Sequence, residues 1–333
     1  MTDQARAAHA VANPLADALY AACGDVAAMR AALDAAIAPG AAIRLCHPLG
    51  EAEGPGGLMD AALGPLAAAL PDLERRCDIA VAGTVPEGGA AGALWAGHSG
   101  HYMGTFRAPF LGIPATGRPV HMRYHEFFRI EGARAVEAHV LWDLPDLMMQ
   151  AEAWPMGPAL GRTGLVPGPA THDGLRPGDD GAEALRVVGD MLDHLHLSDQ
   201  GEAAMRLPAF WHPRCSWYGP GGIGTARGIA GFRAHHQIPF LDALPDRRGL
   251  VEEGHLIGHG DYAAFTAWPG MEMTVTGDGW LGIAPSGRRI TLRSLDFWRV
   301  ERGLIRENWV LVDLLDAWAQ LGVDVLRRMR QLG

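Results

Sequence analysis

A chain of 333 residues with a formal charge of −10 and 48% hydrophobic residues is too long for one ordinary core. It is also too acidic for a phosphate-backbone partner, which needs a clustered basic face. A fifth of the residues are charged, as in a globular protein rather than a disordered one, and lysine is absent, all 28 basic residues being arginine, which excludes Schiff-base chemistry on a lysine.

In chain order, residues 12–37 repeat Ala, Leu and Met at helical spacing until Pro39-Gly40 stops them. A second helical pattern covers 57–70 and ends at Pro71-Asp72. Cys77 to Met103 is rich in Ala, Gly and Val without helical period, which predicts strands joined by Gly-rich turns. After a loop over 107–118, two alternating runs, 119–130 and 134–143, flank Glu131-Gly132-Ala133, the length of a hairpin turn. A short helix is expected from Leu144. Residues 155–181 hold Pro155, Pro158, Pro167, Pro169 and Pro177 among many glycines, a connector composition. The expected domains are therefore 1–152 and 181–333, with a linker over 153–180. The second half is predicted to replay the first: a helix over 181–197, a loop with His212-Pro213, a helix over 224–241, strands with a hairpin over 297–312, and a last helix over 314–331.

The replay is literal in places. Phe110-Leu-Gly-Ile-Pro-Ala-Thr-Gly-Arg118 returns as Trp280-Leu-Gly-Ile-Ala-Pro-Ser-Gly-Arg288, and sixteen of the 41 positions from 110–150 match 280–320 without a gap. His47-Pro48 with Gly54-Pro55-Gly56-Gly57 matches His212-Pro213 with Gly219-Pro220-Gly221-Gly222, and Ala69-Leu-Pro-Asp72 matches Ala243-Leu-Pro-Asp246. A repeat of this period is a duplicated domain. Helices followed by strands in each copy predict an α+β unit with helices on one face of a curved antiparallel sheet and a pocket between them.

Cys23, Cys46, Cys77 and Cys215 form no Cys-x-x-Cys pair and do not repeat with the domain, which suits a reducing compartment. The chain start has no signal-peptide core, and no uncharged run reaches the ~18–20 residues of a membrane span. A cytoplasmic protein is expected, with no membrane or nucleic-acid partner. Arg327, Arg328 and Arg330 are read as complementing the dipole of the last helix.

The order His-Pro, Gly-Pro-x-Gly, Leu-Pro-Asp, Gly104-Thr105 to Arg118, Phe127-Phe128-Arg129-Ile130 and a closing strand with Glu137 and Asp143 resembles the SnoaL-like polyketide cyclases. These are also called ester cyclases and belong to the nuclear transport factor 2-like superfamily. The resemblance covers about 40–150 and 205–322. It implies two tandem cone-shaped domains packed as a covalent pseudo-dimer, further self-association being left open. It also implies acid/base chemistry by an Asp on the last strand facing a His or Asp on the preceding one. The preceding-strand position falls at Glu126 and Asp296. The last-strand position falls at Val140 and Val310, which cannot transfer a proton.

Strand alternation sorts the faces. Leu292, Ser294, Asp296 and Trp298 share one side, to which the neighbouring strand adds Asn308 and Val310, while Arg293, Leu295 and Phe297 lie opposite. In an apolar pocket beside Trp298, Asp296 would have the raised pKa of a general acid or base, with Asn308 donating to a developing enolate oxygen. Otherwise Asp296 pairs with Arg288, Arg293 or Arg299 as structural glue. The first copy's face carries Tyr124 and Glu126 as donor and base, or forms a degenerate pocket. His47 and His212 either shuttle protons at the pocket mouth or bond the turns that follow them. Of His235 and His236 only one can face inward, and His236 is the choice, with Trp217 and Tyr218 as an aromatic wall. The pairs His98/His101, His121/His125, His194/His196 and His255/His259 lack the accompanying ligands of a metal site, so neither metal nor cofactor is expected. The function expected is cofactor-free cyclase, isomerase or hydrolase chemistry on a small carbonyl compound, polyketide- or ester-like. Asp296, Asn308, His212 and His236 would be catalytic. Trp217, Tyr218, Trp298, His47, Tyr124 and Glu126 would bind the ligand. The alternative is a non-catalytic protein of the same fold that binds a small ligand or a partner.

Overall fold

The computed structural model describes residues 3–88, 90–178, 181–195, 205–277 and 279–332. The first half runs α1 (Asp3–Ala22), α2 (Val26–Ala36), β1 (Ile37–Leu45), β2 (Glu51–Glu53), α3 (Gly54–Leu58), a π turn (Met59–Leu63) and α4 (Gly64–Ala69). It continues with β3 (Glu74–Thr84), β4 (Leu94–Thr105), β5 (Pro119–Glu131), β6 (Arg134–Trp142) and α5 (Leu144–Gln150). The second half runs α6 (Ala182–Leu195), α7 (Leu207–Phe210), β7 (Trp211–Tyr218), β8 (Thr225–Arg227), α8 (Gly228–Phe232), a π turn (Arg233–Gln237) and α9 (Ile238–Ala243). Then come β9 (Arg248–Gly249), β10 (Gly254–His259), β11 (Tyr262–Thr274), β12 (Arg289–Glu301), β13 (Leu304–Val312), α10 (Leu314–Gln320) and α11 (Val325–Leu332).

Both halves are α+β domains. One sheet has the order β2-β1-β6-β5-β4-β3, the other β10-β11-β12-β13-β7-β8 with β9 on β11. Neither sheet is purely antiparallel, because β1 runs parallel to β6 and β7 parallel to β13. The central hairpins form as the alternation predicts, with Glu131 paired to Arg134 and Glu301 to Leu304.

Several boundaries depart from the periodicity. The first helical pattern breaks at Cys23-Gly24, where Gly24 has φ +83° and an added Cβ would meet Pro71 O at 2.6 Å. Asp25 then caps α2 by accepting from Ala27 N and Ala28 N. Pro39-Gly40 lies inside β1, where the register with β6 shifts, so it bends a strand instead of ending a helix. His212-Pro213 likewise lies in β7 and not in a loop. Gly322, at φ +85°, divides the last helix into α10 and α11. The two π turns occupy the same place in each copy, ahead of Pro65 and Pro239. A proline there cannot donate to the helical ladder, and the amide before it bonds five residues back, Gly64 N to Met59 O and Ile238 N to Arg233 O.

The two sheets meet through the faces that carry Arg123, His125 and Phe127 in one half and Leu295 and Phe297 in the other. Phe127 and Phe297 pack with ring centroids 5.0 Å apart, and His125 Nδ1 donates to Leu295 O at 2.7 Å. The buried Arg123 guanidinium crosses the boundary to donate to Tyr218 O, Gly219 O and Val310 O at 2.8–3.0 Å. The connector packs into the same boundary: Trp309 Nε1 donates to Pro167 O at 2.9 Å, and Ala80 N to Gly174 O at 2.8 Å. No described helix is long and apolar enough to cross a membrane.

Candidate functional site

The opposite face of the second sheet borders a cavity. Asp296 pairs with Val310 across β12 and β13, Trp298 with Asn308, and Ser294 with Val312, so these side chains share one face. Helix α6 covers that face with Met191, Leu192 and Leu195, and the second π turn adds His236 and Gln237. Between them lies a mostly apolar cavity of about 180 Å³.

Asp296 is the acid of this cavity, 8% exposed. Its Oδ2 accepts from Ser294 Oγ at 3.0 Å. None of the arginines that could have glued it in place does so. Arg293 pairs with Asp313 at 3.2 Å, Arg299 with Glu307 at 2.7 Å, and Arg288 donates to Gln320 O. Burial therefore dominates, and the Asp296 carboxyl is pushed up to about 7 against the smaller pull of Ser294, Asn308 and the more distant Arg123 charge.

Around it the polar atoms are few. His236 lies flat on Trp217, with ring centroids 4.1 Å apart and 13° between planes, and borders Phe232 and Phe240. Burial, with the Arg247 charge nearby, lowers its pKa to about 3, so it is a neutral imidazole at physiological pH. Asn308 Nδ2 donates to Phe297 O at 3.0 Å and weakly to Trp309 O at 3.5 Å, which commits much of its donor capacity to the strand. The indole N–H groups of Trp298 and Trp211, both lining residues, are buried without a partner. Arg247, Trp211 and Gln237 line the cavity and were not singled out from the sequence. One signal for Arg247 was available: it follows the repeated Leu-Pro-Asp, where the first copy has Leu73.

Other expected residues lie elsewhere. His212 sits on the outer part of β7, where its Nδ1 accepts from Arg214 N at 3.0 Å. Tyr218 alternates away from Trp217, donating to Glu307 at 3.3 Å and stacking on Trp309. His47 is not part of the cavity lining, and its backbone N–H donates to Asp313 Oδ2 at 2.9 Å, tying the two halves together. His196 lies outside the described residues. Among the described residues no group of three or more His, Cys, Asp or Glu side chains is placed to hold a metal ion.

The equivalent face of the first half is closed, with a cavity of only about 10 Å³. Glu126 is saturated there: it accepts from Arg75 at 2.7 Å, Tyr102 at 2.9 Å and Trp142 at 3.2 Å. Tyr124 donates to Arg76 O at 2.9 Å under the Arg75 guanidinium. Neither is free for a ligand, which corrects the expectation for both.

The family model described as SnoaL-like polyketide cyclase matches residues 15–151 and again 194–321, one region in each half. Solved structures similar to single halves include TsrD from Streptomyces laurentii, 27% identical over 41% of this chain and 96% of that one, TM-score 0.33. A SnoaL-like polyketide cyclase from Agrobacterium tumefaciens is 21% identical over 41% and 98%, TM-score 0.32. A nuclear transport factor 2-like protein from Burkholderia xenovorans is 16% identical over 43% and 98%, TM-score 0.34. No curated protein sequence matches the chain.

Proposed function

The chain belongs to the SnoaL-like polyketide cyclase family, and from that premise we propose that its second domain catalyses cofactor-free proton transfer on a small carbonyl compound, of the cyclase or isomerase kind. One observation carries the reading: Asp296 stands buried in the cavity with none of the neighbouring arginines paired to it, and that burial pushes its carboxyl up to about 7. Such a carboxyl can both take and return a proton near neutrality. In the proposed reaction its carboxylate removes a proton from the carbon beside a carbonyl, leaving an enolate. That carbon bonds to a second carbonyl of the same molecule, and the resulting alkoxide recovers the proton from Asp296. Atoms and charge balance without a further reagent. The unpartnered Trp298 N–H, beside what remains of Asn308, is the donor we assign to the developing oxygen. His236 enters as a neutral wall, not as a proton donor. The domain limits 1–152 and 181–333 belong to the same proposal, as does a cytoplasmic setting, which four free cysteines fit.

A ligand-binding protein without turnover is the second reading. It is favoured by Val310 at the last-strand position and by the committed Asn308 amide. Exchange of the α-protons of 2-acetonaphthone in D2O, followed by NMR, separates the two. Catalysis requires exchange above buffer with the native chain and a fall of about 10²–10⁴-fold in Asp296→Asn with the fold retained. Equal exchange by both proteins sinks the enzymatic role of Asp296.

A further inference from the structure

Arg247 is the one described cation lining the cavity without a carboxylate beside it. Its neighbour Arg248 is neutralised by Glu272. Among the described residues Arg247 has Leu195 O, to which its Nη2 donates at 2.8 Å, while its Nε is wholly buried with no partner there. The guanidinium carbon is 5.9 Å from the Phe240 ring centroid. Capping the end of α6 through Leu195 O employs one of five N–H groups. The guanidinium is half-buried, and its buried Nε–H is costly to leave unmet unless a ligand acceptor completes it.

Its position along the sheet is fixed by register. Gly249 pairs with Met271, which pairs with Leu292, four residues before Asp296 on β12. At about 3.3 Å per residue the segment carrying Arg247 therefore begins roughly 13 Å along the strand from Asp296. The cavity's lining is otherwise largely apolar and aromatic, with Trp217, Trp280, Phe240 and Met271.

We propose that Arg247 binds a carboxylate on the substrate, making this cavity specific for elongated, largely apolar acids whose reacting carbonyl end lies at Asp296. The inference rests on the reading that this cavity receives the substrate, not on what Asp296 does there. A bidentate guanidinium–carboxylate contact would fix the far end of the molecule and so its orientation toward the acid.

The probes are 2-naphthoate and its uncharged analogue 2-naphthamide, titrated calorimetrically at pH 6, where Asp296 is mostly protonated. The native chain is expected to prefer naphthoate on the order of tenfold, the worth of a charge-assisted contact. Arg247→Met, which keeps the packing on Phe240, should erase that preference while changing naphthamide affinity by less than about twofold. Arg247→Gln gives the same comparison should the methionine variant not fold. Equal affinities in the native chain, no naphthoate binding, or a preference that survives both substitutions overturns the proposal. Asp296→Asn should keep the preference. If it does while native exchange of 2-acetonaphthone is absent, the catalytic reading fails and the carboxylate site stands.

Discussion

Glu126 and Asp296 occupy the same position of the duplicated strand, yet one is locked into a core and the other is exposed to a cavity. Three replacements account for much of the difference in space. Tyr102, Tyr124 and Trp142 fill the first domain where the register of the second puts Met271, Ser294 and Val312. A fourth accounts for the charge. Arg75 pairs through Tyr102 to the sheet as Gly249 does through Met271, so the cation that neutralises Glu126 has a glycine as its counterpart. The two halves show how one scaffold makes either a stable core or a poised acid. The acid requires deleting both the filler and the counter-ion.

Either acid can be altered without touching the other. The largest expected effect on stability is in the closed half. Glu126→Gln strands the buried Arg75 charge and should cost about 3–5 kcal/mol in a denaturant titration, while Asp296-dependent exchange continues in the folded fraction. A loss below 1 kcal/mol would mean that Glu126 is not the structural acid described.

The opposite sign is expected at the equivalent residue. Because the folded pKa of Asp296 is raised from 3.8 to about 7, the folded chain holds a proton that the unfolded chain has released over that range. Wild-type stability from this group is intact below about pH 4 and is lost as pH rises through 7. Asp296→Asn should therefore match wild type near pH 4 and be more stable above pH 8, by up to about 4 kcal/mol. Destabilisation at pH 8 would contradict an unpaired acid. Smaller still, Ser294→Tyr gives the open cavity the filler of the closed one, and should weaken 2-naphthamide binding on the order of tenfold with the fold retained.

The repeat and the strand alternation made much of this legible. Period two along β12 and β13 puts Asp296, Trp298, Asn308 and Val310 on one face, as the cavity lining has them. Packing was not legible in the same way. Alternation places Tyr124 and Glu126 on a pocket face but says nothing of Arg75, which reaches Glu126 from a strand fifty-one residues earlier. The direction of His212 was lost because a His-Pro pair reads as a loop, whereas here it begins a strand. Arg247 follows a helix end in irregular chain, where no periodicity assigns a face.

Acid/base chemistry here depends on Asp296 being a buried carboxyl with no cationic partner, titrating near neutrality. That property is read from the carboxyl ¹³C NMR titration of aspartate-labelled protein from pH 3 to 9, with Asp296→Asn to assign the resonance. A signal that moves with a midpoint near 7 and vanishes in the variant is the expected result. A midpoint at or below the ordinary aspartate value of about 4 would show Asp296 to be solvated or paired, and would remove the basis for acid/base chemistry in this cavity.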